Sequence, residues 1–295
     1  MKKFVILIPV YNDWKSAFKL LKEIDFQVSK WNAEISVLIV NDASTEDRPK
    51  NELVLQKIKS VKIINMKQNR GHARCNAAGL KYLNEKEDFD YVILMDGDGE
   101  DRPEELNLLF NKSTEDPAKT ITANRIKRSE SPFFKLLYEF HKILTYVFTG
   151  KMIKFGNYSC LPKKDVSKLT KEPCLWSSFS GSVTKIISDR LSVPSIRGKR
   201  YFGPSKMNFF NLLIHSFSII GVFKLSVIFR SALLLILYLF FIYGNFSIVT
   251  LLPAITLIVF VILVLKISFR ENIDELNNSL QNIESIDVLR DFDSG

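Results

Sequence analysis

Two long apolar stretches near the carboxyl end restrict the fold of this chain more than any other feature. Residues 225–243 contain one charge, Arg230, and residues 246–265, which follow the turn-forming pair Gly244-Asn245, contain none. A helix that crosses a bilayer needs about 20 apolar residues. The two stretches therefore predict a transmembrane helical hairpin, and two helices buried in a protein core are the less favoured alternative.

Basic residues flank this predicted hairpin on both sides. Lys224 precedes it, Lys266 and Arg270 follow it, and no acidic residue occurs between Asp189 and Glu271. Positive charge at both ends predicts that both ends lie in the cytoplasm, and it suits an anionic lipid surface. We therefore expect an integral membrane protein whose amino-terminal part lies on the cytoplasmic side, and no nucleic-acid partner.

The first half of the chain alternates continuous apolar runs with segments of helical periodicity. Four runs predict buried strands, at residues 4–10, 35–40, 61–66 and 91–95. Helical patterns separate them, at residues 14–26, 53–58 and 71–83, and another begins at Pro103. This alternation predicts an α/β fold, a mostly parallel sheet with helices on both faces, in which ligands bind at the carboxyl ends of the strands.

Polar residues cluster where each of these runs ends, and the fourth cluster is Asp96-Gly97-Asp98. Because side chains alternate along an extended chain, Asp96 and Asp98 project to the same side and can share a divalent cation. Mg²⁺ typically binds one or two carboxylates together with substrate phosphates, so the segment predicts a metal and a phosphorylated substrate. An acidic turn after a strand is the competing interpretation.

Two classes of protein are disfavoured by what the chain lacks. No glycine-rich phosphate loop follows the first run, which counts against a dinucleotide-dependent dehydrogenase and a P-loop enzyme.

The three cysteines are odd in number and lack the spacing of metal ligands. They predict reduced thiols.

Six motifs occur in chain order: Ile8-Pro9-Val10-Tyr11-Asn12-Asp13, Asn41-Asp42-Ala43-Ser44-Thr45, Asn69-Arg70-Gly71, Asp96 through Glu104, Asn124-Arg125 with Arg128, and Gly203-Pro204-Ser205-Lys206. Together they resemble family 2 glycosyltransferases with a GT-A fold, and within these the polyprenyl-phosphate branch that includes dolichol-phosphate mannose synthase. The resemblance implies a membrane-anchored, inverting enzyme, with its catalytic domain on the cytoplasmic side of the bacterial inner membrane. Its donor would be a UDP- or GDP-linked sugar, and its acceptor would be undecaprenyl or dolichyl phosphate.

The resemblance also implies roles for individual residues. The nucleotide sugar would be bound by Pro9, Tyr11, Asn12, Asp13, Asp42, Arg70, Gly71 and Asp96. Mg²⁺ or Mn²⁺ would be held by Asp96, Asp98 and Glu100. The acceptor phosphate would be bound by Arg125, Arg128, Arg200 and Lys206. The expected catalytic residues are Asp96, Asp98, Arg125 and Arg128.

The acceptor is the least determined part of this interpretation. Relatives usually carry an aspartate near the position of Lys154, and this chain lacks it. One alternative keeps the donor site but transfers the sugar to a glycan or another lipid. Another is a non-catalytic membrane scaffold with the same fold.

The chain is expected to divide into four segments. They are a GT-A catalytic domain at 1–206, an interfacial amphipathic helix at 207–224, two transmembrane helices at 225–268 and an acidic cytoplasmic tail at 269–295. Residues 131–149 fit either a second interfacial helix or a core helix. The spacing of apolar residues in the tail predicts an amphipathic helix, with a solvated tail as the alternative. Whether the protein forms a homo-oligomer stays open.

Overall fold

The computed structural model describes residues 1–49, 53–127, 132–203 and 209–291. Its strands are β1 (Lys2–Val10), β2 (Ala33–Asn41), β3 (Ser60–Met66), β4 (Tyr91–Leu94), β5 (Thr120–Lys127), β6 (Ser159–Pro162), β7 (Arg190–Ile196) and β8 (Ile283–Asp291). Its helices are α1 (Trp14–Gln27), α2 (His72–Lys86), α3 (Leu106–Glu115), α4 (Pro132–Thr149), α5 (Lys163–Leu169), α6 (Phe179–Ile186), α7 (Phe209–Gly221), α8 (Lys224–Phe241), α9 (Ile248–Ser268) and α10 (Ile273–Asn277).

The strands form one sheet in the order β7-β5-β6-β4-β1-β2-β3-β8. β4, β1, β2 and β3 pair in parallel, as the sequence predicts, and β6 and β8 pair antiparallel with their neighbours. The carboxyl ends of the four parallel strands meet at one edge. The polar residues that follow these strands are brought together there.

Alternation along β1 explains why this strand is apolar throughout. Phe4, Ile6 and Ile8 pack with α1 and α3 in one core, whereas Val5 and Leu7 pack with α2, α5 and α6 in the other. A strand covered on both faces cannot place a polar side chain without burying it. The predicted mostly parallel sheet with helices on both faces is confirmed.

Among the residues that the structure describes, two helices are long and apolar enough to cross a membrane, α8 and the helix that begins at Ile248. They pack against each other as a hairpin, and the hydroxyl of Tyr238 donates to the carbonyl of Thr250 at 2.7 Å. Most of their large apolar side chains are exposed. Phe148 of α4 packs on Phe260 of α9 with ring centroids 4.5 Å apart, so α4 lies beside the hairpin.

The carboxyl-terminal segment corrects the prediction of an amphipathic helix. In the described part of this segment, residues 269–291, α-helix is limited to α10, where Asn272 caps the backbone N–H of Glu275. A short 3-10 helix follows at Ser279–Asn282, and Ile283–Asp291 form β8. β8 covers the outer edge of β3 in an antiparallel pairing that places Ile64 opposite Ile286. An unpaired edge exposes a row of backbone donors and acceptors, and its pairing outweighs the local helical pattern.

A second correction concerns residues 53–58, where the sequence predicts a helix fragment and the structure contains none. The carboxylate of Asp25 on α1, which is 8% exposed, accepts the backbone N–H groups of Gln56, Lys57 and Ile58 at 2.7–2.8 Å. A buried carboxylate that takes three donors replaces the hydrogen bonds of a helical turn. The chain is thereby held in an irregular conformation.

Candidate active site

A tight carboxylate loop follows β4. The backbone N–H of Asp96 donates to Asp101 at 3.0 Å, and that of Glu100 donates to Asp98 at 2.9 Å. Gly99 has a φ of +86°, and a Cβ there would lie 2.6 Å from the ring of Tyr201. The positive φ and this close approach both require glycine. The loop therefore gathers four carboxylates at the carboxyl edge of the sheet.

Two side chains that the motif assignment left out hold Asp96. His72 Nε2 lies 3.0 Å from Asp96 Oδ1, and the amide of Asn157 donates to the same oxygen at 3.0 Å. His72 begins α2 directly after the Asn69-Arg70-Gly71 motif, and Asn157 precedes β6. Within the described residues, Oδ2 of Asp96 accepts no hydrogen bond, so that oxygen is available to a ligand.

Two arginines form ion pairs with Asp98 and Glu100 of the loop. Arg200 pairs with Asp98 through Nη1 and with Asp13 through Nη2, the latter at 2.8 Å. Arg197 pairs with Glu100. Both arginines come from the segment after β7, and sequence reasoning assigned Arg200 to the acceptor phosphate and left Arg197 out. The structure thus joins a residue expected to bind the donor, Asp13, to an expected metal ligand, Asp98, through one guanidinium.

Crowding of the carboxylates shifts their ionisation. Burial, and then the charges of Asp96 and Glu100, raises the pKa of Asp98 to about 6. Burial and the charge of Asp96 raise the pKa of Asp101 to about 7. Burial also acts to raise the pKa of Asp96, but the neighbouring His72 and other partners outweigh it and hold that pKa below its usual range. The cluster therefore carries negative charge that a cation would relieve.

The donor set fits a hard divalent cation that arrives with phosphate ligands. Among the residues that the structure describes, no group of three or more His, Cys, Asp or Glu side chains is arranged to hold a metal ion by itself. Asp96 and Asp98 nevertheless supply two carboxylates at one strand end, and Mg²⁺ commonly uses one or two carboxylates plus substrate phosphates and waters. The residues present suit a metal–nucleotide complex better than a protein-only metal cage.

The residues expected at the nucleotide form a hydrogen-bonded rim along β1 and β2. Asn12, which has a φ of +49°, accepts the backbone N–H groups of Thr45 and Glu46 at 2.8 and 3.1 Å. Asp42 is 4% exposed and accepts the N–H groups of Arg70 and Gly71, both at 2.9 Å. Both carboxylate oxygens of Asp42 thus brace the turn before α2.

Pro9 and Tyr11 complete this rim. The carbonyl oxygen of Pro9 lies 3.1 Å from where a Cβ of Gly97 would stand, so the end of β1 touches the carboxylate loop. The side chain of Tyr11 is 40% exposed. An exposed aromatic ring at the carboxyl end of β1 is free to stack on a planar ligand.

Glu275 of α10 reaches this rim from the far end of the chain. Its Oε2 accepts the indole N–H of Trp176 at 2.7 Å and lies 3.4 Å from Arg70 Nη1. Nothing in the local sequence marks Glu275, because its partners lie 99 and 205 positions away. The segment after the hairpin is therefore part of the wall of the candidate site.

Of the four residues expected at the acceptor phosphate, the structure describes two. Arg125 lies 3.6 Å from Asp101. Its backbone N–H donates to the carbonyl of Lys154 at 2.9 Å, so the chain before α4 and the chain after it are hydrogen-bonded to each other. Arg200 faces Asp98 and Asp13. Arg128 and Lys206 lie outside the described residues.

Comparison with known proteins identifies the family. The profile described as Glycosyl transferase family 2 matches residues 5–185, which is more than half of the chain. This chain belongs to glycosyl transferase family 2. The matched range covers β1 through most of α6, and it includes the carboxylate loop.

Two curated relatives are undecaprenyl-phosphate 4-deoxy-4-formamido-L-arabinose transferases from two strains of Klebsiella pneumoniae. Each is 25% identical over 221 residues, which is 72% of this chain and 65% of the relative. The match thus spans somewhat less than two thirds of the length of these relatives.

Solved structures share the fold at low identity. Glucosyl-3-phosphoglycerate synthase from Mycobacterium tuberculosis, in complex with Mn²⁺, UDP-glucose and phosphoglyceric acid, has a TM-score of 0.52 and 11% identity, and the match covers 77% of this chain and 80% of that one. Mannosyl-3-phosphoglycerate synthase from Rubrobacter xylanophilus has a TM-score of 0.52 and 10% identity, with 75% and 72% covered. These likenesses establish a GT-A fold.

Proposed function

We propose that this protein is a membrane-anchored, metal-dependent, inverting glycosyltransferase that moves a sugar from a nucleotide donor to polyprenyl phosphate at the cytoplasmic face. The observation that carries the proposal is the position of the carboxylate loop. Asp96 and Asp98 lie at the carboxyl edge of a GT-A sheet, in a chain that also contains two apolar helices long enough to cross a bilayer. The names of the curated relatives support the same acceptor.

The donor would bind along the rim formed after β1 and β2. Pro9, Tyr11, Asn12 and Asp13 would face the nucleoside. Asp42 would act mainly by fixing the turn that presents Arg70 and Gly71, since its oxygens already accept their N–H groups. The guanidinium of Arg70, held in place by Glu275, would then present its positive charge to the diphosphate.

Asp96 and Asp98, with Glu100 beside them, would hold Mg²⁺ or Mn²⁺. Bound there, the cation would supply Lewis-acid neutralisation of the negative charge on the leaving nucleoside diphosphate. His72 and Asn157 contact Asp96 Oδ1, which would leave Oδ2 for the ligand. The protein's part is to keep one carboxylate oriented before the donor arrives.

The acceptor would need cations more than a base. A lipid phosphate is already anionic, so it can attack the anomeric carbon in line without losing a proton, and the configuration inverts. Arg125 and Arg128 would bind its oxygens, with Lys206 nearer the membrane, because guanidinium forks match phosphate geometry. The chain that leaves α4 hydrogen-bonds to Arg125, and α4 itself packs on the hairpin. A lipid held between α4 and the hairpin would therefore have its phosphate near that arginine.

Charge also supports the proposed orientation. Lys224 at the start of α8, and Lys266 and Arg270 at the end of α9, would place both ends of the hairpin in the cytoplasm. The catalytic sheet would then lie on the side where nucleotide sugars are made. Cysteine labelling of exposed loops in sealed vesicles tests this orientation.

Sugar transfer tests the function directly. The full chain, purified in detergent, is incubated with undecaprenyl phosphate, Mn²⁺ and a panel of radiolabelled UDP- and GDP-sugars. We expect one donor to yield a lipid-linked product, and we expect EDTA or Asp98→Ala to abolish it. Transfer to glycans but not to the lipid would refute the acceptor, and the absence of any metal-dependent nucleotide binding would refute the donor.

A further inference from the structure

Arg200 makes the most unusual contact in the candidate site. Its guanidinium spans Asp98 and Asp13, whose side chains are 16% and 18% exposed, and Arg200 itself is 18% exposed. A fork shared by two largely buried carboxylates is a strong, charge-assisted interaction. It places a positive charge on the oxygen of Asp98 that a divalent cation would need.

The main chain around Arg200 is fixed to the carboxylate loop. The N–H of Tyr201 donates to the carbonyl of Asp98 at 2.9 Å, and the N–H of Gly198 donates to the carbonyl of Glu100 at 2.8 Å. These two bonds hold the segment after β7 against the loop whatever the side chain does. Only rotation of the Arg200 side chain is needed to free Asp98.

One donor of Arg200 points to a further ligand. Its Nε is buried and has no hydrogen-bond partner among the described residues. A buried N–H without a partner is costly. An anionic oxygen brought into the site would satisfy it, and phosphate oxygens match the guanidinium fork.

We propose that Arg200 is an internal counter-ion of the metal site, which a divalent cation displaces from Asp98 and which then binds a phosphate oxygen of the incoming nucleotide. The inference rests on the proposed metal-dependent function and adds a positioning role that differs from the acceptor contact suggested by the motifs. It makes the cation and the nucleotide cooperative. The cation frees Arg200 to bind the phosphate, and the phosphate stabilises Arg200 in its displaced position. Each ligand therefore favours binding of the other, and the coupling is reciprocal.

The test measures Mn²⁺ binding without catalysis. Free Mn²⁺ is followed by electron paramagnetic resonance during titration of the full chain in detergent, with and without UDP. Because the site is competent only when Arg200 has left Asp98, we expect Arg200→Gln to tighten Mn²⁺ binding about tenfold in the absence of UDP. We also expect UDP to strengthen Mn²⁺ binding less in this variant than in the natural chain.

Three variants sharpen the outcome. Lys199→Gln removes the same charge one residue away, from an exposed side chain, and is expected to change Mn²⁺ binding little. Arg200→Lys keeps the positive charge but not the guanidinium fork, and it is expected to bind Mn²⁺ with an affinity between those of the natural chain and Arg200→Gln. It also serves as the test if Arg200→Gln does not fold. Asp98→Asn combined with Arg200→Gln is expected to show no gain.

The inference fails if Arg200→Gln weakens Mn²⁺ binding or leaves it unchanged, if Lys199→Gln tightens it equally, or if no variant binds Mn²⁺. Sugar transfer measured on the same preparations separates the two proposals. Transfer without tighter Mn²⁺ binding in Arg200→Gln refutes the counter-ion and leaves the enzyme. Tighter Mn²⁺ binding in Arg200→Gln, together with no sugar transfer by the natural chain, supports the counter-ion and refutes the enzyme.

Discussion

Asn157 donates its side-chain amide to Asp96 Oδ1 at 3.0 Å, across 61 positions of sequence. His72 approaches the same oxygen, also at 3.0 Å. The two contacts restrict the rotation of Asp96, and within the described residues its second oxygen accepts no hydrogen bond. Asn157 is uncharged, so its amide stands close to the candidate metal site without adding charge to it.

Replacing Asn157 tests this positioning. Since groups that orient a metal ligand are typically worth 10–100-fold in affinity, we expect Asn157→Ala to weaken Mn²⁺ binding by about tenfold while the melting temperature changes little. Mn²⁺ titration and circular-dichroism melts measure the two. Asn84→Ala, on the outer part of α2 where Asn84 contacts Ser167, is the control. Equal Mn²⁺ affinity in both variants would contradict the role.

Stability without metal should fall as the pH rises from about 5 to 7.5. The folded-state pKa values of Asp98 and Asp101 are raised to about 6 and about 7 from 3.8. The folded protein therefore holds more protons than the unfolded chain in this window, and stability declines as those protons are lost. Thermal melts in EDTA across this range measure the trend.

Asp101→Asn is the matched variant for this pH dependence, and it should flatten the decline. Since metal binding requires the ionised carboxylate, Mn²⁺ affinity should change in the opposite direction and weaken below about pH 6. A metal-free protein that gains stability between pH 5 and 7 would contradict the raised pKa values.

Glu275→Gln tests whether the carboxyl-terminal segment is a working part of the site. The change keeps an acceptor for Trp176 but removes the charge that faces Arg70. Because Glu275 is 40% exposed, we expect a loss of at most about 1 kcal/mol in stability. We also expect weaker UDP binding as Arg70 becomes less constrained.

Isothermal titration with UDP and thermal melts measure these two effects. Glu284→Gln removes the same charge from an exposed position on β8 and should leave UDP binding unchanged. If both variants bind UDP equally well, Glu275 has no role in positioning Arg70.

Gly79→Ala should destabilise the protein although alanine favours helix. A Cβ at Gly79 would lie 2.6 Å from a methyl of Leu7 and 2.9 Å from a methyl of Val40, so α2 would be pushed away from the sheet. Overpacking of this kind typically costs about 1–3 kcal/mol, which exceeds the gain in helix propensity of up to about 1 kcal/mol. Denaturant unfolding monitored by circular dichroism measures the difference, and an unchanged or raised midpoint would contradict the close packing.

The elements that the sequence predicted are those with strong local patterns. Runs of buried residues marked β1 to β4, and long apolar stretches with at most one charge marked α8 and α9. β5, β6 and β7 went unpredicted because they are short or mixed in composition, and their pairing partners are distant in the chain. β8 was predicted as helix, since its apolar spacing fits a helix locally and only the open edge of β3 favours a strand.

The candidate site divides in the same way. Asp96 and Asp98 come at the end of a predicted strand, so alternation and position were enough to mark them, whereas the role of Asp42 came from the resemblance to the family. His72, Asn157, Arg197 and Glu275 carry no local signal, because each acts through a partner brought close by the fold.

The sequence by itself determined that this chain has a mostly parallel sheet with carboxylates at its edge and two helices suited to a bilayer, because these depend on the order of apolar and polar residues along short segments. Only the tertiary structure decided which groups neutralise those carboxylates and that the segment after the hairpin returns to complete the sheet. Charge pairing and edge pairing depend on distances through space, and chain order does not encode those distances.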